Sequence, residues 1–248
     1  MRYMGGKQRQ SKLLLHYMEK KYPKGGEYCE PFCGALGSAE KLVPHFKSCV
    51  LSDSSEPIVV LWNSIMQGWR IPDFVDEDIY KKYAYRRHSP DVQDPMTAWC
   101  GYALSFGGKW FGGYARQGAN KEAETRRSQT NQKASALRKI EAIKPYVREI
   151  IHADYRDMLG SIEQRKVVYL DPPYSSRTKA HHTAKNFDHK LFWDAAAHFS
   201  LDNDVYVSEF IAPDDWAPVI SWGDTIVRHN GGVGDGTIES LYKRRDAQ

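Results

Sequence analysis

The sequence predicts an α/β protein: a mostly parallel, doubly wound sheet carrying an inserted, largely helical subdomain. Three observations predict it. Short apolar runs of strand character recur, each closed by a polar residue or a Gly/Pro signal. Helical patterns fall between them. The alternation then stops between about Asn63 and Lys133, where no buried strand is legible. Strands alternating with helices favour parallel pairing with crossover connections. A length of 248 residues suits one such domain with an insertion.

The elements follow in order. Gln10 to Tyr22 sets Leu13, Leu14, Tyr17 and Met18 at helical spacing, and Glu27 to Phe32 is the first strand. Gly37 to Val43 reads as a short helix, and Ser48 to Asp53 as the second strand. The interrupting region holds a glycine-rich aromatic loop, Ser105 to Arg116, and a polar run, residues 117 to 132, expected to be mobile. A helix over Lys133 to Val147 places Leu137, Ile140, Ile143 and Val147 on one face. Strands follow at Arg148 to Asp154, Lys166 to Asp171 and Asp204 to Glu209, with a helix over Lys190 to Phe199. Thr225 to Arg228 and Thr237 to Tyr242 are expected to close the sheet as an antiparallel hairpin. The expected division is residues 1–62 and 134–248 for the sheet domain and 63–133 for the inserted subdomain.

Composition narrows the function classes. Hydrophobic residues at 41% and charged residues at 27% exclude a chain that is mainly disordered. The longest apolar run, Ile58 to Trp62, is too short to cross a bilayer. No signal-peptide stretch opens the chain, so a soluble cytoplasmic protein is expected, in a bacterial or virus-infected cell. Cys29 and Cys33 stand at a spacing zinc accepts, but no second Cys/His pair answers them, and no metal site is expected. Net charge is only +4, yet residues 107 to 145 hold nine Lys/Arg against three acids. That segment reads either as a solvated helix face or as a surface for phosphates.

Two stretches carry chemistry. Asp171-Pro-Pro-Tyr174 directly follows the apolar run Val167 to Leu170, at a strand's carboxyl end, where open α/β sheets bind ligands. Neither proline has an N–H, so the corner offers acceptors without donors. The Asp171 carboxylate and the Pro172 carbonyl suit an exocyclic amino group, which has two N–H to place. Tyr174 offers a ring for stacking a heterocycle. The second stretch, Glu30-Pro-Phe-Cys-Gly-Ala-Leu-Gly-Ser38, closes one strand and opens a helix. Asp53 ends the next strand about 20 residues on, the interval at which nucleoside-binding sheets set an acid on ribose hydroxyls. A full G-x-G-x-x-G and a P-loop lysine are both absent, which argues against a pyrophosphate or triphosphate ligand.

Tyr3-Met-Gly-Gly-Lys7, Glu30-Pro-Phe-Cys-Gly34 with Ser38, Asp53 and Asp171-Pro-Pro-Tyr174, in that order, resemble the D12-class, Dam-like adenine-N6 DNA methyltransferases. Val205 to Phe210 and Glu239 to Tyr242 look like later strands of the same fold. The glycine loop is one residue longer than the family's common Phe-x-Gly-x-Gly-Ser, and Tyr3 stands where a Trp is frequent. The resemblance implies a Rossmann-like methyltransferase sheet, S-adenosylmethionine as methyl donor and adenine in double-stranded DNA as acceptor. It implies Tyr3, Lys7, Glu30, Phe32, Gly34, Asp53, Asp154 and Asp171 at the cofactor site, and Asp171, Pro172 and Tyr174 at the reacting base.

On that footing the target nucleotide must leave the duplex, Tyr174 stacks on it, and Phe187 lines the pocket. DNA contacts are expected from Lys109, Arg116, Asn120, Arg126 and Arg127 in the insert, and from Arg177, Lys179 and Lys185 after the Asp-Pro-Pro-Tyr corner. The expected state is a monomer, with room for a cognate restriction endonuclease as partner. Rival readings are a related enzyme acting on RNA or a protein amide, a DNA-binding protein without catalysis, and a nicotinamide oxidoreductase.

Overall fold

The computed structural model describes residues 1, 7, 10–87, 94–116, 121–161, 165–174, 187–222 and 238–245. Seven strands of the described residues form one sheet: β1 (Glu27–Glu30), β2 (Ser48–Asp53), β3 (Ile150–His152), β4 (Val167–Leu170), β5 (Asp204–Glu209), β6 (Trp216–Ser221) and β7 (Ser240–Arg244). Their order is β3-β2-β1-β4-β5-β7-β6. Every pairing from β3 to β5 is parallel, while β7 runs antiparallel to both β5 and β6. The order reverses between β1 and β4, the point at which open α/β sheets place their ligands, beyond the strands' carboxyl ends.

Among the described residues, eight α-helices accompany the sheet: α1 (Ser11–Lys21), α2 (Ala39–Leu42), α3 (Glu56–Met66), α4 (Glu77–Tyr85), α5 (Pro95–Ala98), α6 (Lys121–Ile143), α7 (Tyr155–Ser161) and α8 (His189–Phe199). Alternation along the strands builds a core on each face. Tyr28, Tyr169 and Tyr206 point into one core with Leu14 and Met18 of α1, Leu42 of α2, Trp62 of α3 and Ile140 of α6. Their neighbours Cys29, Val168, Leu170, Val205 and Val207 point into the other, with Leu159 of α7 and Phe192 and Ala196 of α8.

The sheet class is as expected, with differences in detail. The antiparallel partner of β7 is β6 at Trp216–Ser221, a run broken by Pro218 that does not read as a strand; the expected strand at 225–228 lies outside the described residues. Helix α3 is not among the expected elements, although Ile58, Val59, Leu61, Trp62, Ile65 and Met66 fall at helical spacing and are buried; the unbroken apolar run Ile58 to Trp62 hides that period at its start. The polar run expected to be mobile is helical from Lys121 onward, part of the 23-residue α6. Thr125, Gln129, Ala136, Ile140 and Ile143 form its buried stripe, and the two polar members conceal the pattern. Leu137, expected on the buried face, is exposed.

The limits expected for the insertion both fall inside helices, α3 and α6. Ile71, Val75, Tyr80, Trp99 and Leu104 of the insertion share the core of the sheet's first face.

Candidate active site

Asp171 leaves the carboxyl end of β4, half-buried, and the Lys7 ammonium sits 2.7 Å from its Oδ1. Glu239, immediately before the first paired residue of β7, Ser240, holds the same ammonium at 3.1 Å. The Tyr174 hydroxyl lies 3.0 Å from Asp171 Oδ1 and 2.8 Å from Glu239 Oε1. Lys7 also lies over the Tyr174 ring, 4.3 Å from its centre, and Phe210 meets that ring edge-on. One cation and one phenol thus bridge two carboxylates.

The electrostatics follow. Burial pushes the Asp171 carboxyl up to about 6; Lys7 opposes the rise, while Glu239 and Glu209 add to it. Burial works to lower Lys7, but Asp171 and Glu239 outweigh it and hold the ammonium above the ordinary lysine range.

Beside this corner, across the β1/β4 pairing, stands the glycine loop. Gly34 has φ +43°, a left-handed conformation that glycine adopts without strain. Its N–H donates to Asp53 Oδ2 at 2.8 Å, and its carbonyl accepts from the Trp62 indole at 2.9 Å. Asp53 Oδ1 accepts from the Ser55 N–H at 2.8 Å. Burial raises the Asp53 carboxyl, and those two backbone donors offset the rise. A carboxylate has about four lone-pair sites, so Asp53 retains capacity for hydroxyl donors. Lys139, fully buried on α6, donates to the Ala35 carbonyl at 2.5 Å, and burial lowers it to about 8.

Glu30 is not exposed at these strand ends. It is fully buried, accepting from the Tyr28 hydroxyl at 2.7 Å and from the Ser38 hydroxyl. Burial pushes it up to about 8. Its contact with the loop is therefore indirect, through Ser38. Phe32 stacks on Tyr155 with centres 5.3 Å apart, and Phe187 and Phe192 meet both rings. Phe187, expected in the base pocket, belongs to this aromatic group. Asp154, just after β3, is bound by Arg156 at 2.7 Å and held below the usual carboxylate range by that guanidinium.

The expected residues divide accordingly. Lys7, Asp171 and Tyr174 meet at one point, with Gly34 and Asp53 on the neighbouring strand ends. Tyr3, Asn120, Arg177, Lys179 and Lys185 lie outside the described residues. In the insertion, Arg116 makes a two-pronged pair with Glu77, and Arg126 pairs with Glu122 while covering the Phe74 ring at 3.8 Å. Lys109 and Arg127 are exposed. Sequence reasoning missed Glu239 as a site residue. Its signal is an acid set within Ile238-Glu-Ser-Leu241, at the mouth of a strand with a buried start.

The model of the D12 class N6 adenine-specific DNA methyltransferases matches residues 3–93 and 111–205. The chain belongs to this family. The matched residues include both the glycine loop and the Asp-Pro-Pro-Tyr corner. Glu239 lies beyond it. A search of curated proteins returns no match. Among solved structures, the chain is similar to a candidate methyltransferase, yhhF, from Escherichia coli, at 9% identity, covering 97% of this chain and 86% of that one with a TM-score of 0.40. It is similar also to a candidate methylase from Haemophilus influenzae, at 13% identity, 95% and 96% coverage and a TM-score of 0.37. Membership in this family makes the protein a methyltransferase. The described residues include no helix long and apolar enough to cross a membrane.

Proposed function

We propose that this protein transfers a methyl group from S-adenosylmethionine to N6 of an adenine turned out of duplex DNA. The observation that carries the reading is the Asp171 carboxylate on its donor-free proline corner, one strand away from a glycine loop anchored by Asp53. The donor set fits the methyl donor: an acid for ribose hydroxyls, a left-handed glycine permitting close approach, and the Phe32–Tyr155 ring pair for an adenine face. Gly34, Asp53 and Phe32 would hold it, with Asp154 within the same group of strand ends. When bound, it supplies an electron-poor sulfonium methyl group.

The chain's own groups do the rest by position. The amino nitrogen of adenine is a poor nucleophile because its lone pair is delocalised into the ring. Asp171 and the Pro172 carbonyl, accepting its two N–H bonds, favour a pyramidal nitrogen with the lone pair free to attack. Fixed acceptors at the place where positive charge develops need no reorganisation as the bond forms. No covalent enzyme intermediate is involved, in keeping with four buried free cysteines, of which burial raises Cys29, Cys33, Cys49 and Cys100 well out of the reactive range. Lys109 and Arg127, with Arg116 and Arg126 after exchange of their exposed acid partners, would meet phosphates from the helical insertion.

The test is transfer of labelled methyl from S-adenosylmethionine to duplex DNA, followed by digestion to nucleosides and mapping of the modified bases. The expected product is N6-methyladenine at a fixed sequence. Label on cytosine, on RNA or on protein, or no label, overturns the reading.

A further inference from the structure

Two carboxylates compete for one pair of donors beside the reacting base, and only one of them has a role in the mechanism above. Asp171 Oδ1 and Glu239 Oε1 each lie within 3.1 Å of both the Lys7 ammonium and the Tyr174 hydroxyl. A phenol has one proton and donates to one acceptor at a time, whereas an ammonium has three. With those donors on Asp171, its acceptor capacity is partly taken. To receive an adenine N–H, Asp171 must shed some of it. Pulling a buried ammonium away from its sole carboxylate would leave a charge without a partner, which is strongly unfavourable. A second carboxylate removes that obstacle. Lys7 stays paired and the Tyr174 proton turns to the other side. The Tyr174 ring beneath Lys7 keeps the ammonium in place throughout.

We propose that Glu239 is a positioning residue that takes over Lys7 and the Tyr174 hydroxyl, leaving Asp171 open to the substrate's amino group. The inference rests on the function proposed above. Glu239 is buried, and its other partner is the Gln10 amide at 3.3 Å, so a merely structural role as a strand-end tether is the alternative. The two differ in their effect on Asp171. The groups facing that carboxyl are Lys7, Tyr174, Glu239 and Glu209, with Tyr169 and Glu30 behind it. Glu239 and Glu209 raise it, and Lys7 lowers it. Neutralising Glu239 removes one raising charge and returns Lys7 wholly to Asp171, and both changes move Asp171 downward.

The experiment measures methyl transfer against pH for the unmodified protein, Glu239→Gln and Glu239→Asp, with thermal unfolding alongside. Glu239→Gln is expected to lower kcat about tenfold or more, with KM values within about threefold, and to displace the acid limb to lower pH. Glu239→Asp, which keeps the charge, is expected to return the limb to its original pH with kcat still reduced. A folded Glu239→Gln protein with unchanged kcat, or with lower kcat and an unmoved acid limb, overturns the proposal. If that variant does not fold, Glu239→Asp decides, and unreduced kcat there overturns it. Failure of the unmodified protein to methylate adenine in duplex DNA overturns the function reading itself, and this inference with it.

Discussion

Burial pushes the Asp171 carboxyl up to about 6 while the Lys7 ammonium 2.7 Å away works against the rise. Its acceptor role needs the ionised form, so methyl transfer should fall as pH drops through about 6, in proportion to the fraction ionised. Replacing the carboxylate altogether should cost more. Asp171→Ala is expected to lower kcat by at least about a hundredfold, as loss of one preorganised electrostatic partner does elsewhere. A variant with near-normal turnover would refute the assigned role. Glu30 makes a different demand. Its folded carboxyl, pushed up to about 8 by burial, stays protonated where the unfolded chain's is ionised. Its stabilising effect is thus complete below about pH 4.5 and declines up to about pH 8, at about 1.4 kcal/mol per pH unit at most. Glu30→Gln should relieve that decline. The difference in melting temperature, variant minus unmodified, is expected to grow in the variant's favour between those limits; parallel curves would show that Glu30 ionises normally.

Gln129 ties α6 to the insertion. Its amide accepts from the Val75 N–H at 2.9 Å and donates to the Val75 carbonyl at 2.9 Å, deep in the protein. Gln129→Ala would leave the Val75 N–H buried without that partner, at about 1–3 kcal/mol, while the Val75 carbonyl keeps the Tyr114 hydroxyl at 2.6 Å. Denaturant unfolding should register the loss, and a variant as stable as the original would mean that water or a shifted side chain replaces the amide. The same residue explains what the sequence conceals. Periodicity finds α8, where Phe192 and Ala196 mark an apolar face, but not the first half of α6, whose buried face is Thr125 and Gln129. β4 and β5 are legible because apolar runs end abruptly at Asp171 and Ser208. β6 is not, because Pro218 and an irregular register interrupt it. The Asp-Pro-Pro-Tyr corner is legible for its chemistry, whereas its association with Lys7 and Glu239 depends on contacts 164 and 68 positions away, which no local pattern encodes.

The basic excess of residues 107 to 145 is less available over the molecule than along the chain. Arg116, Lys133 and Arg138 pair with Glu77, Asp73 and Glu40, and the ammonium groups of Lys139 and Lys144 bind the Ala35 and Met66 carbonyls. Binding to duplex DNA should still weaken as salt rises, because displaced counterions drive it. Lys109→Ala and Arg127→Ala are each expected to reduce the slope of log K against log salt by about 1. Lys144→Ala should leave the slope alone, and an equal reduction there would mean that the carbonyl contact gives way to phosphate. At this scale the pairing of Tyr28 in β1 with Val167 in β4 has a further consequence. On the ribosome, at about 5–20 residues per second, β1 emerges some tens of seconds at most, and several at least, before the strand that must lie against it. Throughout that interval one edge of the nascent sheet is open to foreign strands, so the insertion's length sets how long a newborn chain is at risk of going astray.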